Sequence, residues 1–310
     1  MKLTDAFAEQ ECVVTGEVGP PKGAGAEGCL EAAGEMNGAV DAVNVTDNQS
    51  AVVRLGSLAV SRLLKESGIE PVYQLTGRDR NRIALQSDLL SASALGIENV
   101  LLLTGDHMVL GDHPEAKGVF DLDSVQLIRA ARELNEGRDL AGHELDEPTD
   151  FCIGAVVNPG SDDLSMQVIK MKKKIDAGAR FLQTQAIYVP EVFERFLDEA
   201  GPTDVPIMAG IVPLKSAGMA RYMNDNVAGI HVPDSLIGRL KDVAKEDRRK
   251  VSLEISLELV EEIRDICDGI HIMPLGWDDL VPQIVDGAGL RSERAESTTA
   301  TRETHQQPSE

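Results

Sequence analysis

No stretch of this chain approaches ~18 consecutive apolar residues, and no basic segment leads into an apolar one. Neither a membrane span nor a secretory signal is therefore expected, and the sequence reads as soluble and cytoplasmic. Cysteine is scarce. Cys12, Cys29, Cys152 and Cys267 lie far apart without a Cys-x-x-Cys pair, which argues against a zinc ribbon, an iron–sulfur site or a disulfide framework and suits a reducing compartment. Positive charge is scarce too, with 30 Lys+Arg against 52 Asp+Glu and a net charge of −22. A surface of that sign repels phosphate backbones and anionic lipid, so neither nucleic acid nor membrane is expected as a partner. The last segment, 291–310, sets Arg291, Arg294 and Arg302 against Glu293, Glu296, Glu303 and Glu310, so almost all of the excess belongs to the body of the chain. With only 12 Lys, the composition resembles proteins adapted to a salty cytoplasm.

What the chain does have is a regular alternation. Short β-branched or aliphatic runs predict eight strands: Val13 to Val18, Asp41 to Thr46, Pro71 to Thr76, Asn99 to Thr104, Phe151 to Val157, Arg180 to Gln185, Val205 to Ile211 and Gly269 to Met273. Helical spacing lies between them. Leu164, Val168, Met171 and Ile175 form one apolar stripe, Ile255, Leu259 and Ile263 form another, and Pro190 suits a first helical position. Alternating strands and helices imply parallel pairing, because parallel neighbours need a crossover. Eight such units match the size of a closed (β/α)8 TIM barrel of α/β class, here residues 1–290, with a disordered tail over 291–310. A doubly wound open sheet carries the same alternation. The stretch from Gly105 to Leu122 reads as a long loop after the fourth strand, a kind often functional.

Three local patterns admit two readings each. Gly23-Ala-Gly25-Ala-Glu-Gly28 fits a dinucleotide fingerprint, with Asp41 and Asp47 downstream, yet Pro20, Pro21 and Lys22 intervene after the strand and favour a glycine loop entering a helix. The pairs Asp106-His107 and Asp112-His113 suggest a metal, but no third ligand cluster follows, so a cofactor-contacting loop is preferred and no metal is expected. Lys170, Lys172, Lys173 and Lys174 are either a solvated helix face or a phosphate-capturing patch. In a parallel barrel the site forms at the strand C-termini, and there stand Glu17, Thr46, Thr76, Asp106, Asn158, Gln185 and His271. Glu17 and Asp106 supply carboxylates suited to acid–base work.

Leu75-Thr-Gly-Arg-Asp-Arg-Asn-Arg-Ile-Ala-Leu-Gln-Ser-Asp-Leu-Leu90, followed by Ala94-Leu-Gly-Ile97 and Asn99-Val-Leu-Leu-Leu-Thr-Gly-Asp106, resembles the signature of methylenetetrahydrofolate reductases. Glu17-Val-Gly-Pro-Pro-Lys22, Asp176-Ala-Gly-Ala179 with Gln183-Thr-Gln185, and Gly210-Ile-Val-Pro213 extend the likeness from the first strand to the last. The resemblance is to short prokaryotic members. It implies a barrel holding FAD non-covalently and reducing 5,10-methylenetetrahydrofolate to 5-methyltetrahydrofolate in one-carbon metabolism and methionine supply. It casts Glu17 as the acid that protonates N10 and Asp106 as a charge between pterin and flavin. Cofactor contacts would come from Thr46, Thr76, Arg80, Asn81, Asp106, His107, Asn158 and Lys174, and substrate contacts from Gln185, Tyr222 and Glu17.

The chain departs from the family pattern at Gln74, where members often carry His, at Thr104, where they often carry Arg, and at Ala186-Ile187-Tyr188, where an aromatic run is reduced. The resemblance thus leaves the electron donor open among NADH, NADPH, ferredoxin and a partner subunit. A homo-oligomer is expected, and a flavin- and folate-binding subunit of a larger reductase is the alternative.

Overall fold

The computed structural model describes residues 1–290; the tail expected over 291–310 lies outside the described residues. Eight strands, β1 (Val13–Val18), β2 (Ala42–Val45), β3 (Pro71–Thr76), β4 (Asn99–Leu103), β5 (Cys152–Val157), β6 (Phe181–Ala186), β7 (Ile207–Ile211) and β8 (Gly269–Ile272), pair in chain order. All neighbours are parallel. The circle closes where Val13, Val14 and Thr15 of β1 lie beside Gly269, Ile270 and His271 of β8, so the barrel and not the open sheet is the fold.

The helices are α1 (Leu3–Glu9), α2 (Glu27–Met36), α3 (Ser57–Glu66), α4 (Arg82–Ala94), α5 (Ser124–Asn135), α6 (Leu164–Ala177), α7 (Pro190–Ala200), α8 (Ala217–Asn226), α9 (Asp234–Leu240), α10 (Arg248–Ile263) and α11 (Leu280–Gly287). Among the described residues none is long and apolar enough to cross a membrane. The expected stripes face inward: Leu164, Val168 and Met171 are buried on α6, as are Ile255, Leu259 and Ile263 on α10. Pro190 occupies the first turn of α7, where its missing N–H costs no intrahelical bond. Two elements were not anticipated. The β7 to β8 crossover carries three helices, and α1 packs Leu3 and Ala6 into the apolar cluster inside the barrel.

Side chains alternate between the helix-facing and the interior side of each strand. The interior therefore stacks in layers. Lowest are Val13, Ala42, Val72, Leu101, Cys152, Phe181 and Met208, sealed by Leu3 and Ala6. Gly154 makes room for Phe181, since a Cβ there would stand 2.2 Å from the ring. One pleat higher, β1, β2, β3 and β6 present Thr15, Asn44, Gln74 and Gln183, joined by His271 of β8, all buried and all polar.

Candidate active site

The polar layer is a connected network. Asn44 and Gln183 exchange amide hydrogen bonds at 2.7 and 3.3 Å, and Gln183 Nε2 also donates to Thr15 Oγ1 at 3.2 Å. Thr15 Oγ1 lies 2.9 Å from Nδ1 of His271. This hydroxyl accepts from Gln183 and has its own proton to offer Nδ1, while the other ring nitrogen is Nε2. That nitrogen faces Glu17 Oε2 at 3.7 Å, and Gln74 Nε2 donates to the same oxygen at 3.3 Å. Glu17 is 9% exposed and lines a cleft of about 600 Å³, shared with Gly25, Gln49, Arg54, Gly276 and Asp278. Its Oε2 is oriented from within the barrel, as a proton-transferring carboxyl requires. Asp278, across the cleft, is raised above the usual carboxylate range by burial.

A second constellation ties the β2, β3 and β4 loops together. Asp47 has no exposed side-chain surface and accepts from the Thr76 amide and hydroxyl, both at 2.9 Å, and from Arg80 at 2.7 Å. Arg80 also pairs with Asp88 at 2.9 Å. Burial works against its charge, but the hydrogen bond and attraction of Asp47 hold the guanidinium above its ordinary pKa. Arg78, 2% exposed, spans the loops by donating to the carbonyls of Asn48 and Asp106 at 3.2 and 3.3 Å while pairing with Asp79. Gly105, at φ +90°, turns the chain just after β4 in a conformation that side chains rarely adopt. Lys22 then meets Asp112, whose other oxygen accepts from the Val53 amide at 3.2 Å, and the His113 ring lies 2.9 Å from that carboxylate.

The expected site residues fall into two groups. Thr46 Oγ1 and Asn158 Oδ1 are buried at strand ends without a partner, the Asp106 carboxylate is exposed, and His107 stacks on Phe120 at 6.4 Å while its Nδ1 accepts from the Val109 amide. These four retain polar capacity at the mouth. In the other group the side chains are engaged. Thr76 and Arg80 serve Asp47, and Asn81 caps α4 by accepting from the Ile83 and Ala84 amides. Lys174 reaches the Val156 carbonyl at 2.6 Å, its pKa lowered to about 8 by burial and then by Lys170. Lys170, Lys172 and Lys173 are exposed on α6, a solvated face. Gln185 lies at a register shift between β6 and β7, accepting from the adjacent Ala186 amide at 3.0 Å, and Tyr222 stands on α8, 63% exposed. Gly25 and Gly28 line the cleft beside Glu17, Gly25 ahead of α2 and Gly28 in its first turn, in a closed barrel and not a Rossmann sheet.

Sequence reasoning passed over Thr15, Asn44, Gln183, Arg54 and Arg78. A signal for the first three was present: a polar residue two places before the polar strand end, as in Thr15/Glu17, Asn44/Thr46, Gln74/Thr76 and Gln183/Gln185. Arg54 and Arg78 lie in loops with no period to betray them.

Comparison with known proteins gives a consistent result. The family model described as methylenetetrahydrofolate reductase matches residues 2–289. A Schizosaccharomyces pombe protein named methylenetetrahydrofolate reductase 2 is 26% identical over 261 residues, covering 77% of this chain. The chain spans only 39% of that relative's length. A Salmonella typhimurium protein named 5,10-methylenetetrahydrofolate reductase is 25% identical over 257 residues, 80% of each chain. Among solved structures, an uncharacterized Clostridium thermocellum protein that binds two copies of 5-methyl-5,6,7,8-tetrahydrofolic acid superposes with a TM-score of 0.61 at 16% identity, covering 91% of this chain and 97% of its own. At that identity the likeness concerns the fold.

Proposed function

The chain belongs to the methylenetetrahydrofolate reductase family, and from that premise we propose that it reduces 5,10-methylenetetrahydrofolate to 5-methyltetrahydrofolate. The observation that carries the reading is Glu17, a carboxyl lining the cleft, hydrogen-bonded on one oxygen by Gln74 with His271 3.7 Å from that same oxygen. In this scheme Oε1 holds the proton that passes to N10 of the folate. Protonation opens the five-membered ring and exposes an electrophilic iminium carbon. The cleft volume lies within the range of small-molecule sites. The names of the bacterial relatives support the substrate class.

FAD fits the mouth on one observation in particular, the buried and unpartnered hydroxyl of Thr46 at the end of β2, which a heteroaromatic edge would satisfy. Asp106, His107 and Asn158 complete the groups with free polar capacity, while Thr76, Arg80 and Asn81 shape the same loops through Asp47 and the α4 cap. Lys174 would contribute positive charge from behind β5. When bound, a reduced flavin supplies the hydride, and the protein's part is orientation, proton delivery and charge. Gln185 and Tyr222 would contact the substrate, Gln185 with the Nε2 donor it does not spend on Ala186.

Glu17→Gln tests the assignment. Bound flavin and donor oxidation are expected to persist, while folate reduction falls by about 10²-fold, the usual scale for loss of a general acid. Unchanged folate turnover would remove Glu17 from the mechanism. The visible spectrum of the purified protein, before and after methylenetetrahydrofolate is added to its reduced form, tests the cofactor directly. A second reading, a barrel subunit that receives electrons from a partner, is favoured by the loop after β4, where Val109 and Leu110 are 59% and 69% exposed. Flavin that is reduced only in the presence of a co-purifying subunit would establish it.

A further inference from the structure

Arg54 shares the Glu17 cleft and is held there from three sides. Its amide donates to Asn48 Oδ1 at 3.0 Å, its Nη1 donates to the Pro20 carbonyl at 3.1 Å, and the next amide, Leu55, donates to the Pro21 carbonyl at 2.8 Å. The rest of the guanidinium is unspent. Among the described residues the buried Nε has no hydrogen-bond partner, Nη2 has none either, and no carboxylate pairs with Arg54. Elsewhere at the mouth arginines are matched: Arg78 with Asp79, Arg80 with Asp47 and Asp88, Arg82 with Asp121. Arg54 thus combines a place in the cleft that holds Glu17 and Asp278, the lack of a carboxylate among the described residues, and a buried Nε without a partner, and that combination calls for an anion. An orphaned buried donor is rare in folded proteins and is resolved where a ligand arrives.

We propose that Arg54 is the anion-recognising residue of this cleft, receiving an oxyanion carried by the ligand whose reactive end lies at Glu17. Resting on the function proposed above, that oxyanion is the glutamyl carboxylate of the folate; a cofactor phosphate is the other source of the same chemistry. The planar guanidinium matches a carboxylate through two parallel donors, and its immobilised backbone and Nη1 leave little freedom to lose on binding. It also offsets the repulsion that Asp278 exerts on a dianionic tail.

The test is calorimetric titration of the full chain with 5-methyltetrahydrofolate, with 5-methyltetrahydropteroate, which lacks the glutamate, and with FAD. Wild-type protein is expected to prefer the glutamate-bearing ligand, and Arg54→Gln to lose that preference through a weakening of about 10-fold or more against 5-methyltetrahydrofolate alone. Arg54→Lys should recover part of it, which shows that a folded protein has lost a charge contact. Loss of FAD affinity with the folate preference intact supports the anion role and assigns it to the cofactor. Unchanged affinity of Arg54→Gln for all three ligands overturns the proposal. Wild-type protein blind to both folates overturns the function reading instead, and the FAD titration then decides Arg54 by itself.

Discussion

Val13, Ala42, Val72 and Phe181 fill the lower interior of the barrel with apolar surface, and two residues further along the same four strands Thr15, Asn44, Gln74 and Gln183 fill the next layer with hydrogen bonds. The backbone is the same in both layers, parallel and fully paired. The lower layer is non-directional, closed by α1, and stabilises in proportion to the area removed from water. The upper layer is directional. Every polar group there must find a partner or leave a cost of about 1–3 kcal/mol, so its members hold one another in fixed orientations and end on Glu17. The difference teaches that one half of the interior carries stability and the other carries orientation.

The contrast is sharpest at Phe181→Ala. It should cost about 3–5 kcal/mol in unfolding free energy by denaturant titration, because the space beside Gly154 is lost as a cavity, while ligand affinity of the folded fraction is retained. A loss of folate binding at unchanged stability would break the division. Glu17→Gln should do the reverse, removing about 10² in folate turnover while unfolding stability stays within ~1 kcal/mol of wild type. Next in size is Gln183→Leu, which orphans the Asn44 amide and one acceptor on Thr15. About 1–3 kcal/mol of stability should be lost, and the pH profile of turnover should shift because His271 is no longer fixed through Thr15. A purely thermodynamic effect with an unmoved profile would reduce the network to packing.

The smallest effect concerns Lys174, outside both layers. Burial lowers its pKa from 10.5 to about 8, so between those values the unfolded chain binds more protons than the folded one. Stability contributed at this site therefore rises as pH increases from about 8 toward 10.5, by at most ~1.4 kcal/mol per pH unit. Denaturation midpoints of wild type and Lys174→Met across that window should converge at low pH and separate at high pH once the curves are aligned on the pH-independent difference. Parallel curves would show that the Val156 carbonyl compensates the charge in full.

The eight strands and their order were legible because an aliphatic run between helical stripes has one economical solution, and the strand ends Glu17, Thr46 and Thr76 followed from where parallel strands stop. The family motif around Leu75 to Asp106 could be read in the same way, since its residues are contiguous. Closure was not legible: whether β1 meets β8 depends on strand tilt and stagger, which no local pattern encodes. Nor was the engagement of Arg80 by Asp47, 33 residues apart, or of Arg54 by Pro20, 34 apart. What the sequence by itself determined is the alternation, the inward faces and the identity of the carboxyl at the end of the first strand. Only the tertiary structure decided which polar groups are consumed by one another and which remain for a ligand, because hydrogen-bond partnership is set by proximity across strands and loops, and that proximity exists only once the barrel has closed.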